Sequence, residues 1–141
     1  MKLLAFVSLF IPIILARNEE MFWRCSLPSG GGGHEGLRDM YTLFNKLFGD
    51  SLLLAAPKQC YLAECYGAYF GFCNIGSEAF KEHAVERGMA KNRNPGPGSR
   101  CRLYPDGKYA DKYYYIYSVE GELDREAAGD AKLDVRHCEA R

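Results

Sequence analysis

Leu37-Arg38-Asp39-Met40-Tyr41-Thr42-Leu43-Phe44-Asn45-Lys46-Leu47-Phe48-Gly49 is the most clearly periodic stretch of the chain. Leu37, Met40, Tyr41, Phe44, Leu47 and Phe48 recur at three- and four-residue intervals, which places them on one face of a helix. Arg38, Asp39, Asn45 and Lys46 occupy the other side, and Gly49 stands where a helix would end. An apolar helix face can meet a membrane, a partner or the protein's own core. In a small domain the core is the expected use, so the helix needs a surface to cover.

The aromatic segments downstream supply that surface. The stretch from Tyr61 to Cys73 is aromatic with interspersed small residues, including Tyr66, Tyr69, Phe70 and Phe72, and reads as strand, with Gly67 and Gly71 permitting bends. Farther on, Tyr113, Tyr115, Tyr117 and Val119 would share one face of a strand, with Tyr114, Ile116 and Ser118 opposite. Exposed tyrosines could stack on sugars or bases, but the favoured reading is that alternate rings fill a sheet–helix interface while their hydroxyls reach solvent. Asp106-Gly107, flanked by aromatic runs, predicts a β-hairpin.

Ser77 is a credible N-cap for a second helix over residues 78–90, with Glu78 in its first turn and Phe80, Ala84 and Val85 as a thinner apolar stripe. Leu133-Asp134-Val135-Arg136-His137-Cys138 reads as a last strand that its cysteine could staple to the body. Ser51 begins a short apolar run. The glycines at 30–33 read as a flexible connector, residues 92–99 as an exposed loop, and residues 120–132 as a charged loop or short helical excursion. The glycine run lacks the following Gly-Lys-Ser/Thr of a phosphate loop, which argues against nucleotide binding.

The start of the chain reads as an address. Lys2 is followed by an uncharged apolar run to Ala16, and polar residues begin at once with Arg17-Asn18-Glu19-Glu20. A basic start, a short apolar stretch and a small residue match a secretory signal peptide, with cleavage expected after Ala16. Residues 1–16 are then the signal and 17–141 a single domain of roughly 125 residues, long enough to build a core. The run is too short for a spanning helix and Pro12 argues against an anchor, so the protein is not expected to be embedded in a membrane.

The whole chain carries 18 basic and 18 acidic side chains, and losing Lys2 with the signal leaves one more acid than base. A nucleic-acid binder usually carries a basic excess, so no specific nucleic-acid partner is expected. Bulk attraction to anionic membranes is not expected either. At 48% hydrophobic residues the composition fits a packed domain, not a disordered tail.

All six cysteines, Cys25, Cys60, Cys65, Cys73, Cys101 and Cys138, lie after the signal. An even number in an exported chain implies three disulfides, among fifteen connectivities. A zinc site is disfavoured because no Cys-x-x-Cys pair exists. No cofactor is expected.

For an enzyme there is little to assemble. His34, His83 and His137 are the only histidines, and neither a Gly-x-Ser-x-Gly elbow nor a His-Glu-x-x-His helix is present. A ribonuclease needs two acid–base groups and a cation, for which His34 or His137 with Glu35, Glu82 or Arg136 could be drawn. Surface placement of each histidine is the simpler reading. The expectation is a non-enzymatic, monomeric, secreted interaction protein or toxin.

The order of these elements resembles the KP4-like fungal killer-toxin family. The parallel runs through Cys25 with the glycines at 30–33, the helix from Leu37, and Lys58-Gln59-Cys60 entering a strand. It continues with Ala68-Tyr69-Phe70 leading through Cys73 to Gly76-Ser77, then the second helix, Cys101 with Pro105, and Lys112-Tyr113-Tyr114-Tyr115-Ile116-Tyr117-Ser118-Val119. It covers roughly residues 23–119 as element order and cysteine placement. The family's Asn-Cys pair before Cys25 is absent, its Cys-x-x-Cys-Gly-Ser segment is reduced to Cys101, and Cys65 has no counterpart.

The resemblance implies an α+β fold: a two-layer sandwich with a mainly antiparallel sheet, two helices on one face, and disulfide staples. It implies the pairs Cys25–Cys101, Cys60–Cys138 and Cys65–Cys73. It also implies a toxin or effector that binds a membrane or host protein of a target cell and blocks calcium channels. Lys58, two residues before the strand cysteine, takes the place of the basic residue linked to toxicity in that family. A second resemblance rests on Trp23-Arg24-Cys25, an aromatic-x-Cys near the mature N-terminus like that of the RNase-like effectors of powdery mildews, which bind host RNA or protein and are often catalytically dead. A Cys25–Cys138 bridge and a single long helix would favour that alternative, whereas two antiparallel helices would favour the toxin reading.

Overall fold

The computed structural model of the chain describes residues 22–50, 52–82, 84–104, 112–119 and 131–139. The signal segment, Ser51, His83, the Asp106-Gly107 turn and residues 120–130 lie outside them. Among the described residues the elements run β1 (Trp23–Leu27), α1 (Gly33–Phe48), β2 (Leu54–Ala55), β3 (Gln59–Cys65), β4 (Ala68–Asn74), β5 (Phe80–Lys81), α2 (Ala84–Asn92), β6 (Ser99–Leu103), β7 (Tyr113–Ser118) and β8 (Lys132–His137). The six-stranded sheet has the order β1-β6-β7-β4-β3-β8, and β2 and β5 form a separate ribbon. Every pair in the large sheet is antiparallel except β3 with β8.

The aromatic alternation sets the layers. Tyr113, Tyr115 and Tyr117 join Phe70, Phe72 and Leu103 in a core that includes Leu37, Met40 and Phe44 of α1 and Ala90 of α2. Tyr114 and Ile116 join Cys60, Leu62 and Cys73 on the opposite side of the sheet. Phe44 meets Phe70 edge-on at 5.4 Å, a ring geometry that adds to the area buried. The tyrosine hydroxyls do not reach solvent as expected. Tyr113, Tyr115 and Tyr117 are buried, and the Tyr115 hydroxyl donates to Glu82 Oε2 at 2.7 Å.

Both helices therefore cover one face, and their side chains show that they run antiparallel. A ring nitrogen of His34, at the start of α1, lies 2.8 Å from the Lys91 carbonyl near the end of α2. At the other end, Arg87 Nη1 donates to Asn45 Oδ1 at 2.7 Å and to the Gly49 carbonyl at 2.6 Å. The fold is the α+β sandwich expected, with a mixed, mostly antiparallel sheet.

The second helix starts later than the cap signal at Ser77 implies. Phe80 instead pairs through β5 with Ala55 and stacks on Tyr113 at 4.6 Å, so a core ring holds this segment extended. Local helix preference gives way to that packing. Val85, expected on the inner stripe, is exposed, while Arg87 and Ala90 turn inward.

Within the glycine run at 30–33, Gly31 is packed, not slack. Gly31 N–H donates to the Pro97 carbonyl at 2.9 Å, and a Cβ on Gly31 would lie 1.9 Å from the Gly98 carbonyl oxygen. Only glycine permits that approach. Pro95, Gly98 and Ser99 are consequently buried within what reads by composition as an exposed loop. Tyr66-Gly67, with φ of 54° and 83°, turns β3 tightly into β4 as a two-residue hairpin loop.

The disulfides are Cys25–Cys101, Cys60–Cys73 and Cys65–Cys138. The first is the pair the resemblance implies; the other two correct it. Cys60 and Cys65 are an odd number of residues apart on one strand, so they face opposite sides of the sheet. Cys60 sits directly across the hairpin from Cys73, with Cα atoms 4.0 Å apart. Cys65 follows Glu64, the register partner of His137, and so lies beside Cys138. Joining Cys60 to Cys138 would need a bond to span roughly 16 Å of strand, far beyond disulfide reach.

Candidate functional site

Lys58 stands at the corner where Pro57-Lys58 turns into β3. Its φ of 56° is left-handed, a conformation that costs a non-glycine residue about 1–2 kcal/mol and is held here by its surroundings. Lys58 N–H donates to the Gly76 carbonyl at 3.1 Å, and its carbonyl accepts from Lys132 N–H at 2.8 Å. Its Nζ donates to the Ile75 carbonyl at 2.7 Å. Ile75 N–H in turn donates to the Lys112 carbonyl at 2.8 Å.

These main-chain bonds bring Lys58, Lys112 and Lys132 to one end of the sheet, the first two just before β3 and β7 and the third at the start of β8. All three are exposed. Of the three, Lys112 lines a recess of about 350 Å³ together with Asn74, Gly76, Ser77, Glu78, Ala79 and Phe80. Buried Asn74 fixes its wall: Nδ2 donates to the Glu78 carbonyl at 2.8 Å and the Ala56 carbonyl at 3.1 Å, and Oδ1 accepts from Gly76 N–H at 3.0 Å. A single exposed ion pair contributes only about 0–1 kcal/mol, whereas several like charges gathered on one surface act chiefly through the field they set up together.

The acid–base groups offered by the sequence are engaged separately. His34 is held at the end of α2. His137 Nε2 lies 3.0 Å from Glu64 Oε2, its register partner on β3. Glu82 is buried against Arg87 and Tyr115. Arg136 Nη1 donates to the Leu47 carbonyl at 2.7 Å with its guanidinium 4.3 Å from the Phe48 ring centre. His83 lies outside the described residues. Burial, then the neighbouring Glu82 carboxylate, pushes the Tyr115 hydroxyl far above the usual tyrosine range, so it serves as a neutral donor.

Among the described residues no group of three or more His, Cys, Asp or Glu could hold a metal ion, and no helix is long and apolar enough to cross a membrane. Lys112 and Lys132 were not legible as partners of Lys58, because only the strand order joins them. Arg24, Arg100 and Arg102 also went unread as a group. Their signal was the alternation Arg100-Cys101-Arg102 and the Arg24-Cys25 pair. No family model, no curated protein and no solved structure matches the chain.

Proposed function

We propose that the protein is a secreted, disulfide-stapled toxin or effector of the KP4-like kind, which acts as a monomer by binding a target-cell surface protein, a calcium channel being the favoured target. The observation that carries this reading is the pair of antiparallel helices on one face of a mainly antiparallel sheet, with Cys25 joined to Cys101. Export is supported by the signal-like residues 1–16 and by three disulfides in a small domain. The lysine corner around Lys58 is the proposed contact surface, since the mouth of a cation channel presents carboxylates.

The alternative, an RNase-like effector, would draw support from a Cys25–Cys138 bridge, and that pairing does not occur here. Two assays separate the readings. Labelled mature protein is expected to bind fungal or root cells, and a Lys58→Gln, Lys112→Gln, Lys132→Gln variant to bind them at least tenfold more weakly. Incubation with RNA is expected to leave it intact; cleavage lost on His137→Ala would overturn the toxin reading.

A further inference from the structure

A second basic feature lies at the opposite sheet edge, on the face away from the helices. Trp23, Cys101 and Leu103 belong to the helix-side core, so strand alternation turns Arg24 and Arg102 to the other side. These two arginines are direct register partners on β1 and β6. Like charges placed directly opposite one another on neighbouring strands repel, a cost that an anion bound between them would relieve. The adjoining register pair is the Cys25–Cys101 disulfide, which holds the strands in that alignment.

Arg100 adds a third guanidinium. Its φ of 54° is left-handed at the second residue of β6, and with Arg24, Ser26, Arg102 and Tyr104 it lines a recess of about 340 Å³. Arg102 is oriented within it: Nη1 donates to Tyr104 Oη at 3.0 Å, and the guanidinium lies 5.5 Å from the Tyr114 ring centre. In a chain of zero formal net charge, three of the basic side chains thus line one recess beside a disulfide.

We propose that this recess is an oxyanion site for a phosphate monoester or pyrophosphate group. Planar guanidinium forks match phosphate oxygens in pairs, and three of them suit a multiply charged phosphoryl head. A compact recess on a neutral chain suits one such head better than the long backbone of a nucleic acid, whose binding needs an extended basic surface. The head can come from a soluble phosphate or from a phosphorylated lipid. The site is separate from the lysine corner and does not depend on the toxin reading.

The test titrates the intact, oxidised protein with inorganic pyrophosphate at fixed ionic strength, by calorimetry and by arginine side-chain NMR shifts. A parallel arm measures cosedimentation with vesicles containing phosphatidylinositol bisphosphate, against phosphatidylserine vesicles of equal charge. Binding in either arm is expected, with at least a tenfold loss in Arg24→Gln and in Arg24→Lys, which keeps the charge but not the fork, and no change in Lys46→Gln. Binding of pyrophosphate identifies a soluble source, and binding of the bisphosphate vesicles alone a lipid one. Absence of binding in both arms, or binding undiminished in the Arg24 variants, would overturn the proposal. So would a 5′-hydroxyl RNA oligonucleotide that binds more tightly than pyrophosphate and is lost in the same variants.

Discussion

The Tyr115 hydroxyl reaches across from the sheet to Glu82 Oε2 at 2.7 Å, and the same oxygen accepts from Arg87 Nε at 2.9 Å. Because Arg87 also donates to Asn45 and Gly49 at the end of α1, one buried carboxylate ties β7, α2 and α1 together. Breaking a buried pair from one side leaves a charge without its counterion. Glu82→Gln is therefore expected to lower stability by about 3–5 kcal/mol in urea unfolding. Tyr115→Phe, which removes one bond to the carboxylate, is expected to cost about 1.5–3 kcal/mol. Losses under 1 kcal/mol in both would contradict the tie.

The same tyrosine sets an alkaline limit. Its folded-state pKa is raised, by burial and by Glu82, above the ordinary value of 10.0. Tyr117 shifts the same way, chiefly through burial. Above pH 10 the unfolded chain loses these protons while the folded one keeps them, so stability is intact below that pH and falls as pH rises beyond it. Tyr115 alone gives a slope of about 1.4 kcal/mol per pH unit. Chemical denaturation between pH 9 and 12 checks this, and Tyr115→Phe is expected to flatten the decline.

Disulfide mapping by mass spectrometry is expected to return Cys60–Cys73 and Cys65–Cys138. The bridges close sequence separations of 13 and 73 residues. Chain-entropy reasoning gives losses of about 3 and about 4 kcal/mol for the respective paired Cys→Ser changes. Equal or inverted losses would show that native-state contacts outweigh loop closure.

Gly31→Ala is expected to destabilise by about 1–3 kcal/mol or more, as overpacking does, because its Cβ would meet the Gly98 carbonyl oxygen. Gly33→Ala is a useful contrast. Nothing lies near its Cβ, so its cost comes only from a φ of 70°. A slack connector would tolerate both equally.

Period-based features were the legible part of this chain. The α1 face and the split of Tyr113, Tyr115 and Tyr117 from Tyr114 and Ile116 depend on local repeat alone. The beginning of α2 was not legible, because Ser77-Glu78 makes a good local cap, whereas pairing with Ala55 and the distant rings of Phe72 and Tyr113 hold Phe80 in a strand. The exchanged cysteine partners follow from register, which residue spacing alone does not carry when three strands compete. Lys58 was singled out by resemblance, but its companions Lys112 and Lys132 converge only through the order β7-β4-β3-β8. The direct opposition of Arg24 and Arg102 was hidden for the same reason.

Calcium influx into fungal and root cells exposed to purified, fully oxidised protein tests the central claim most directly. The account predicts that micromolar protein lowers influx and growth, and that the Lys58→Gln, Lys112→Gln, Lys132→Gln variant, equally stable and with all three disulfides formed, loses at least tenfold in potency. Unchanged influx and growth at that dose, with correctly bridged protein, would contradict it.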